Sequence, residues 1–251
     1  MNAIAAERIK LLSSRSIWWC AALSVLLVAG PVGLIAALAE DGWQPDGTEF
    51  LTLGQLVVLV LAALTVTGEY RHGTIRVTFL AVPNRTTALL AKTVVVALAG
   101  GVVGLVTGLA GRGAAVLMRP GAGLAELGWA LGHGGPWRAV VGSAAVFALS
   151  AVLAVAVAIL LRSTAGSLSL LLGWVLVVEP VVASLPRVGD DIGRWLPFAN
   201  ADHFLYADVP EPGSIFDAGM PFGPWGALVY FAGIAAVLLV AALGLANRRD
   251  A

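Results

Sequence analysis

The sequence predicts an all-α integral membrane protein with six transmembrane helices, and three observations carry that prediction. Of 251 residues, 59% are hydrophobic and only 12% are charged; an average soluble domain has about 45–50% and about 25%. A soluble fold of this length needs a polar shell that these residues cannot supply. Six apolar runs are each about long enough to cross a hydrocarbon core about 30 Å thick, which takes roughly 20 helical residues. Threading the chain through those runs then sorts its lysines and arginines unevenly between the two sides.

Residues 1–16, MNAIAAERIKLLSSRS, read as a helix lying on the inner membrane surface. Ile4, Leu11 and Leu12 share a face with Arg8 and Arg15, a weak amphipathic pattern that basic residues near anionic headgroups compensate. The first span is 17–39. Ile17 to Ala39 is a run of 23 uncharged residues, longer than the about 7–15 of a signal-peptide core, so it is read as a retained span. Pro31 is expected to kink it without ending it, because the apolar run continues beyond. The remaining spans are 51–68, 93–110, 139–161, 164–185 and 225–246, and only the fifth holds an ionisable residue, Glu179. Backbone amides in lipid must be satisfied within the segment, which makes every one of these a helix. The whole chain, 1–251, forms one transmembrane domain.

With the N-terminus inside, ten basic residues face the inner side: Arg8, Lys10, Arg15, Arg71, Arg76, Arg85, Lys92, Arg162, Arg248 and Arg249. Five lie outside: Arg112, Arg119, Arg138, Arg187 and Arg194. The positive-inside rule therefore predicts both termini inside. Two outer connections are long. Residues 111–138 contain eight glycines with Trp129 and Trp137, and a short helix is expected around Leu124–Leu131. Residues 186–224 form an extracellular segment with most of the outer acids and the run Trp195-Leu196-Pro197-Phe198. Aromatic residues there suit an interfacial belt; the alternative is a small cap over a translocation path. Asp202-His203 reads as a solvated turn.

Several classes are excluded. Net charge is zero, so the basic footprint of a nucleic-acid-binding protein is missing. Cys20 is the only cysteine, which leaves neither a disulfide within the chain nor a cysteine cluster for a metal. His72, His133 and His203 fall in three different loops and suggest no metal site. The only lysines, Lys10 and Lys92, do not follow glycine, so no P-loop can form. No catalytic pair can be assembled, and the chain reads as a non-enzyme.

The most informative segment joins spans two and three on the inner side: Gly68–Lys92, GEYRHGTIRVTFLAVPNRTTALLAK. Its pattern is Glu69-x3-Gly73-Thr74-x-Arg76-x-Thr78-x4-Pro83-x-Arg85-x6-Lys92. A plain inner turn would be short and polar. Here Ile75, Val77, Phe79, Leu80 and Val82 are interleaved with the charged and polar residues of the loop, as in a structured segment that packs on something. The positive-inside rule accounts for the arginines but not for Glu69, Gly73-Thr74 and Pro83.

On these residues the chain resembles the ABC-2 type permeases, the membrane subunits of a large class of bacterial ABC exporters. In that family a Glu, a Gly-Thr pair, an Arg and a Pro-x-Arg recur between spans two and three. Six spans, an N-terminal interfacial helix, Glu179-Pro180 near the outer end of span five and the Trp195–Phe198 run also agree with it. The resemblance implies that 69–92 holds a coupling helix that docks on a separate ATPase subunit. Glu69, Tyr70, Arg71, Gly73, Thr74, Arg76 and Thr78 are the expected docking residues. It implies two ATPase copies carrying ATP and Mg, a second permease half (the same or a related chain), and a place in the bacterial plasma membrane. This chain itself would bind no cofactor, and its cargo would be a hydrophobic or amphiphilic compound such as a drug, antibiotic or lipid.

Two further features stay open at the level of sequence. Glu179 is an intramembrane carboxylate and so a functional candidate: an element of the translocation path, the ion or proton site of a stand-alone secondary transporter or channel, or the cap of a broken helix before Pro180. Gly100, Gly104 and Gly108, four residues apart, form a small-residue face that suits close helix packing, within the chain or between two copies.

Overall fold

The computed structural model describes residues 3–39, 45–73, 85–119, 137–185, 188–207 and 219–249. Among them every regular element is helical. Six helices are long and apolar enough to cross a membrane. A short helix α1 (Ala3–Ser13) precedes the first of these, α2 (Arg15–Leu38), with Ser14 between them as N-cap. Then follow α3 (Leu51–His72), α4 (Arg85–Leu117) and α5 (Trp137–Leu161). The fifth crossing is α6 (Thr164–Gly173), a π turn (Trp174–Val178) and α7 (Glu179–Ser184). Beyond it come α8 (Val188–Ile192), a 3₁₀ turn (Gly193–Trp195), α9 (Pro197–Tyr206) and the last crossing, α10 (Pro224–Arg249).

Helix α2 runs unbroken through Pro31. The fifth crossing shows how a second proline is absorbed. Pro180 has no N–H to give to the carbonyl four residues back, and its ring would strike that carbonyl. The wider π turn just before it opens the backbone there, and the Glu179 N–H bonds to Trp174 O. The third crossing outgrows the expected 93–110 at both ends: its 33 residues extend about 50 Å. A hydropathy count stops at Arg112, but that arginine is buried at 8% exposure and its Nη1 donates to Asp46 O at 3.0 Å. Glycine makes the approach: a Cβ on Gly111 would stand 2.2 Å from Gly47 O, and Gly47 itself has φ +94. The helix expected around Leu124–Leu131 lies outside the described residues.

Helix α5 is the most enclosed of the six, while α6 and α10 are mostly exposed. Around α5 the core joins Val58, Ala62 and Val66 of α3 with Phe147, Ala151 and Ala158 of α5 and Phe231 and Ala235 of α10. Small polar side chains pin the helices inside this apolar body, where their groups have no water to bond. Gln55 Nε2 donates to Ser150 Oγ at 2.7 Å, and Ser24 Oγ pairs with Thr107 Oγ1 at 3.0 Å. One end of the bundle gathers α1, the end of α3, the start of α4 and the end of α10, where Asn247 Nδ2 donates to Thr86 Oγ1 at 3.0 Å. We call this the basal end and the opposite one the apical end.

Candidate functional site

The last turn of α3 is the beginning of the loop singled out by its sequence. It closes on Gly73, whose φ of 68 is a left-handed C-terminal cap, with its N–H directed to Tyr70 O at 3.4 Å. Four charged side chains meet inside this turn. Lys92 Nζ of α4 donates to Glu69 Oε1 at 2.9 Å and to Glu7 Oε2 of α1 at 2.8 Å, and Lys10 of α1 also pairs with Glu69. Glu69 and Lys92 are only 5% and 4% exposed. Two carboxylates and two ammonium groups thus neutralise one another at the basal end. Partial burial, and then Lys92, pull the Lys10 ammonium below its usual range, while Glu7 acts against them. The group lines a cavity of about 310 Å³ with Ser14, Ser16 and Thr65, and Glu69 Oε2 there is buried with no hydrogen-bond partner among the described residues.

Tyr70, the next residue, is half-buried against the core, and the Arg162 guanidinium lies 5.2 Å from its ring centroid. Arg162 occupies the junction of α5 and α6 at φ 53. Arg71 is exposed, and the space around Gly73 is open. So the expected docking residues divide. Glu69 and Tyr70 point into the fold and tie the end of α3 to α1, α4 and the α5–α6 junction. Arg71 and Gly73 face outward. Thr74, Arg76, Thr78 and Pro83 lie outside the described residues.

At the apical end Glu179 is buried at 7% exposure. Its Oε1 accepts from Trp174 Nε1 at 2.7 Å and from the Phe198 N–H at 3.0 Å; its Oε2 accepts from the Ala199 N–H at 2.9 Å. Phe198 and Ala199 are in the first turn of α9, whose N–H groups have no partner within the helix. A carboxylate there also meets the positive end of the helix dipole. Both oxygens are held by protein donors, which is the geometry of a helix cap.

Helix α9 corrects the reading of Asp202-His203 as a solvated turn, since both lie within Pro197–Tyr206. The helix folds back onto the apical end: Phe198 stacks near Phe231 at 5.5 Å, Phe204 near Trp225 at 5.2 Å, and Arg138 Nε donates to Phe204 O at 2.6 Å. Trp195 remains 44% exposed while Leu196 and Phe198 are buried. The aromatic run therefore divides: Leu196 and Phe198 pack into the fold, while Trp195 stays at the surface beside Phe222 and Tyr230.

The glycines of α4 face α5. A Cβ on Gly104 would come 2.6 Å from Ser143 O and 2.7 Å from Phe147 Cγ; on Gly108, 2.8 Å from Val140 O; on Gly100, 3.2 Å from Phe147 O. Ser143 Oγ donates to Gly104 O at 2.8 Å across the same contact. The stripe is occupied within the chain.

Sequence reasoning missed Glu7, Lys10 and Lys92 as a group. Lys92 enters the sequence pattern as the end of the loop and as one of the inner basic residues, although a lone lysine between Ala91 and Thr93, on a face with Leu89 and Val96, also calls for an acidic partner. That partner is Glu69, the one acid in the loop. No family model matches the chain, and no curated protein matches it. What the fold defines is an all-helical protein with six helices long and apolar enough to cross a membrane, braced at one end by a buried charge group and at the other by a carboxylate-capped helix.

Proposed function

We propose that the chain is the membrane-spanning subunit of an ATP-binding cassette exporter, of the ABC-2 type, that takes its power from a separate ATPase. The observation that carries this reading is the end of α3. A segment with the family's Glu, Gly-Thr, Arg and Pro-x-Arg pattern leaves a turn whose inward side chains grip three other parts of the bundle. A push on 74–84 would reach α1 and α4 through Glu69 and the α5–α6 junction through Tyr70. Such a linkage lets a partner that changes shape with ATP bias the bundle between two arrangements.

In this reading the basal end is cytoplasmic, both termini are inside, α1 lies along the inner surface, and the protein sits in a bacterial plasma membrane. Two ATPase subunits hold ATP and Mg, and the route runs between this chain and a second permease half. The cargo class is hydrophobic or amphiphilic, as the resemblance to the family implies. Arg76→Glu and Arg71→Glu test the docking surface, the second at an exposed side chain of the last turn of α3. Both are expected to lose association with the ATPase while the chain still inserts and folds. Association and ATPase stimulation retained in both variants would place the docking surface elsewhere.

A further inference from the structure

Helices α2 and α4 touch closely toward the apical end. Ser24 Oγ meets Thr107 Oγ1 at 3.0 Å, and a Cβ on Gly33 would lie 3.6 Å from Ala114 Cβ. Toward the basal end they part. Between them opens an apolar slot of about 390 Å³, with Trp18, Val25, Leu98 and Val106 among its walls and α1 crossing its foot. Its α4 wall, from Val95 to Val106, covers about 16 Å, close to half of a hydrocarbon core about 30 Å thick. Trp18, Leu98 and Val102 are more than 60% exposed, so the slot opens sideways over its length. Its volume falls within the about 300–1,000 Å³ of ligand pockets.

The one charged residue lining it is Arg8, at the α1 end. The charges of α1 explain why that matters. Glu7 is taken by Lys92, and Lys10 by Glu69. Arg8 and Arg15 are left with no acidic partner among the described residues. Arg15 opens α2, just before Ile17 and Trp18 of the slot wall, and Trp18 Nε1 holds α1 in place by donating to Leu12 O at 3.1 Å. A leaflet-deep apolar slot with uncompensated positive charge at its foot fits an amphiphile with one long chain inside and an anionic head outside.

We infer that this slot binds an anionic phospholipid of the inner leaflet, with an acyl chain between α2 and α4 and its phosphate at Arg8 and Arg15. The inference rests on the placement of α1 at the inner surface given above, and it is independent of any ATPase. It commits to a lipid in place of a second protein copy because an apolar protein surface would leave both arginines unanswered. Bound there, the lipid would join α1 to α2 and α4 beside the charge group of Glu69, so membrane composition would affect how firmly that end is held.

The test is native mass spectrometry of the full chain, released from micelles after incubation with equal amounts of dioleoyl phosphatidylglycerol and dioleoyl phosphatidylcholine. The phosphatidylglycerol adduct is expected to dominate, and Arg8→Gln to cut that preference about five-fold, the effect of one basic residue at an anionic surface. Ala99→Trp, which fills the slot, is expected to reduce both adducts, with unchanged helix content showing that the variant still folds. Equal retention of the two lipids, or phosphatidylglycerol binding unaltered by Ala99→Trp, would overturn the assignment. So would a dimer mass that carries no lipid and is lost in Ala99→Trp, which would give the slot to a second copy. The chain is measured alone, so failure of the ATPase reading leaves this result standing, and the reverse also holds.

Discussion

Removing one ammonium from the basal charge group tests whether it braces the bundle. Lys92→Met keeps the length and apolar stem of the side chain while deleting the charge that joins Glu7 and Glu69. Glu69 would be left at 5% exposure with only Lys10, whose side chain is 51% exposed. Glu7, at 13% side-chain exposure, would have no ion-pair partner among the described residues. Breaking a buried pair from one side costs about 3–5 kcal/mol, because the remaining charge stays desolvated. Lys10→Met removes a mostly solvated partner and is expected to cost under about 1 kcal/mol. The double variant Glu69→Gln/Lys92→Met is expected to recover part of the loss, since residues in contact do not add. Denaturant unfolding in mixed micelles, followed by circular dichroism, gives all of these values. Equal costs for Lys92→Met and Lys10→Met, or a Lys92→Met cost below about 1 kcal/mol, would refute the brace.

Three other expectations follow from particular contacts. Glu179→Gln keeps one acceptor oxygen but loses the charge at the start of α9; a loss of about 1–2 kcal/mol is expected, read as faster hydrogen exchange at the amides of Phe198 and Ala199. Protection unchanged at both would remove Glu179 as a cap. Gly104→Ala places a methyl against Ser143 O and Phe147 and is expected to cost about 1–3 kcal/mol. Gly233→Ala, with nothing within 4 Å, is expected to be neutral or stabilising by up to about 1 kcal/mol; unfolding of the two variants side by side checks both. The Asp202 carboxyl, in α9 outside the six spans, is pushed up to about 7 by burial first and Glu179 second. Between its ordinary 3.8 and that value the folded protein keeps a proton that the unfolded chain has released. Stability is therefore expected to fall as pH rises through that window and to level off above it. Asp202→Asn is expected to flatten the slope of unfolding midpoint against pH.

The six long apolar helices were legible because length, apolar character and the absence of charge are the properties that fit a helix to cross lipid. Their ends were less so. Arg112 stops a count of apolar residues, yet in the fold Asp46 and the close approach of Gly47 and Gly111 let the helix continue to Leu117. The segment 186–224 hid α9 because its N-terminal cap is not local: the acceptor for the Phe198 and Ala199 amides is a carboxylate 19 and 20 residues earlier. Lys92 and Glu7 are 85 residues apart, so no spacing rule could join them. The glycine stripe could be recognised as a packing face, but a single sequence does not say which helix it meets. In the loop after α3, residue types suggested contact with a partner; the fold adds that Glu69 and Tyr70 face inward, held by Lys10 and Lys92 and by the core beside Arg162.

The composition of the complex purified from native membranes through a tag on this chain tests the central claim most directly. A P-loop ATPase is expected in equal amount with the chain, with ATP hydrolysis that disappears when Arg76→Glu separates the two. A chain that purifies without an ATPase and, alone in proteoliposomes, moves its cargo on an ion gradient regardless of ATP would contradict it.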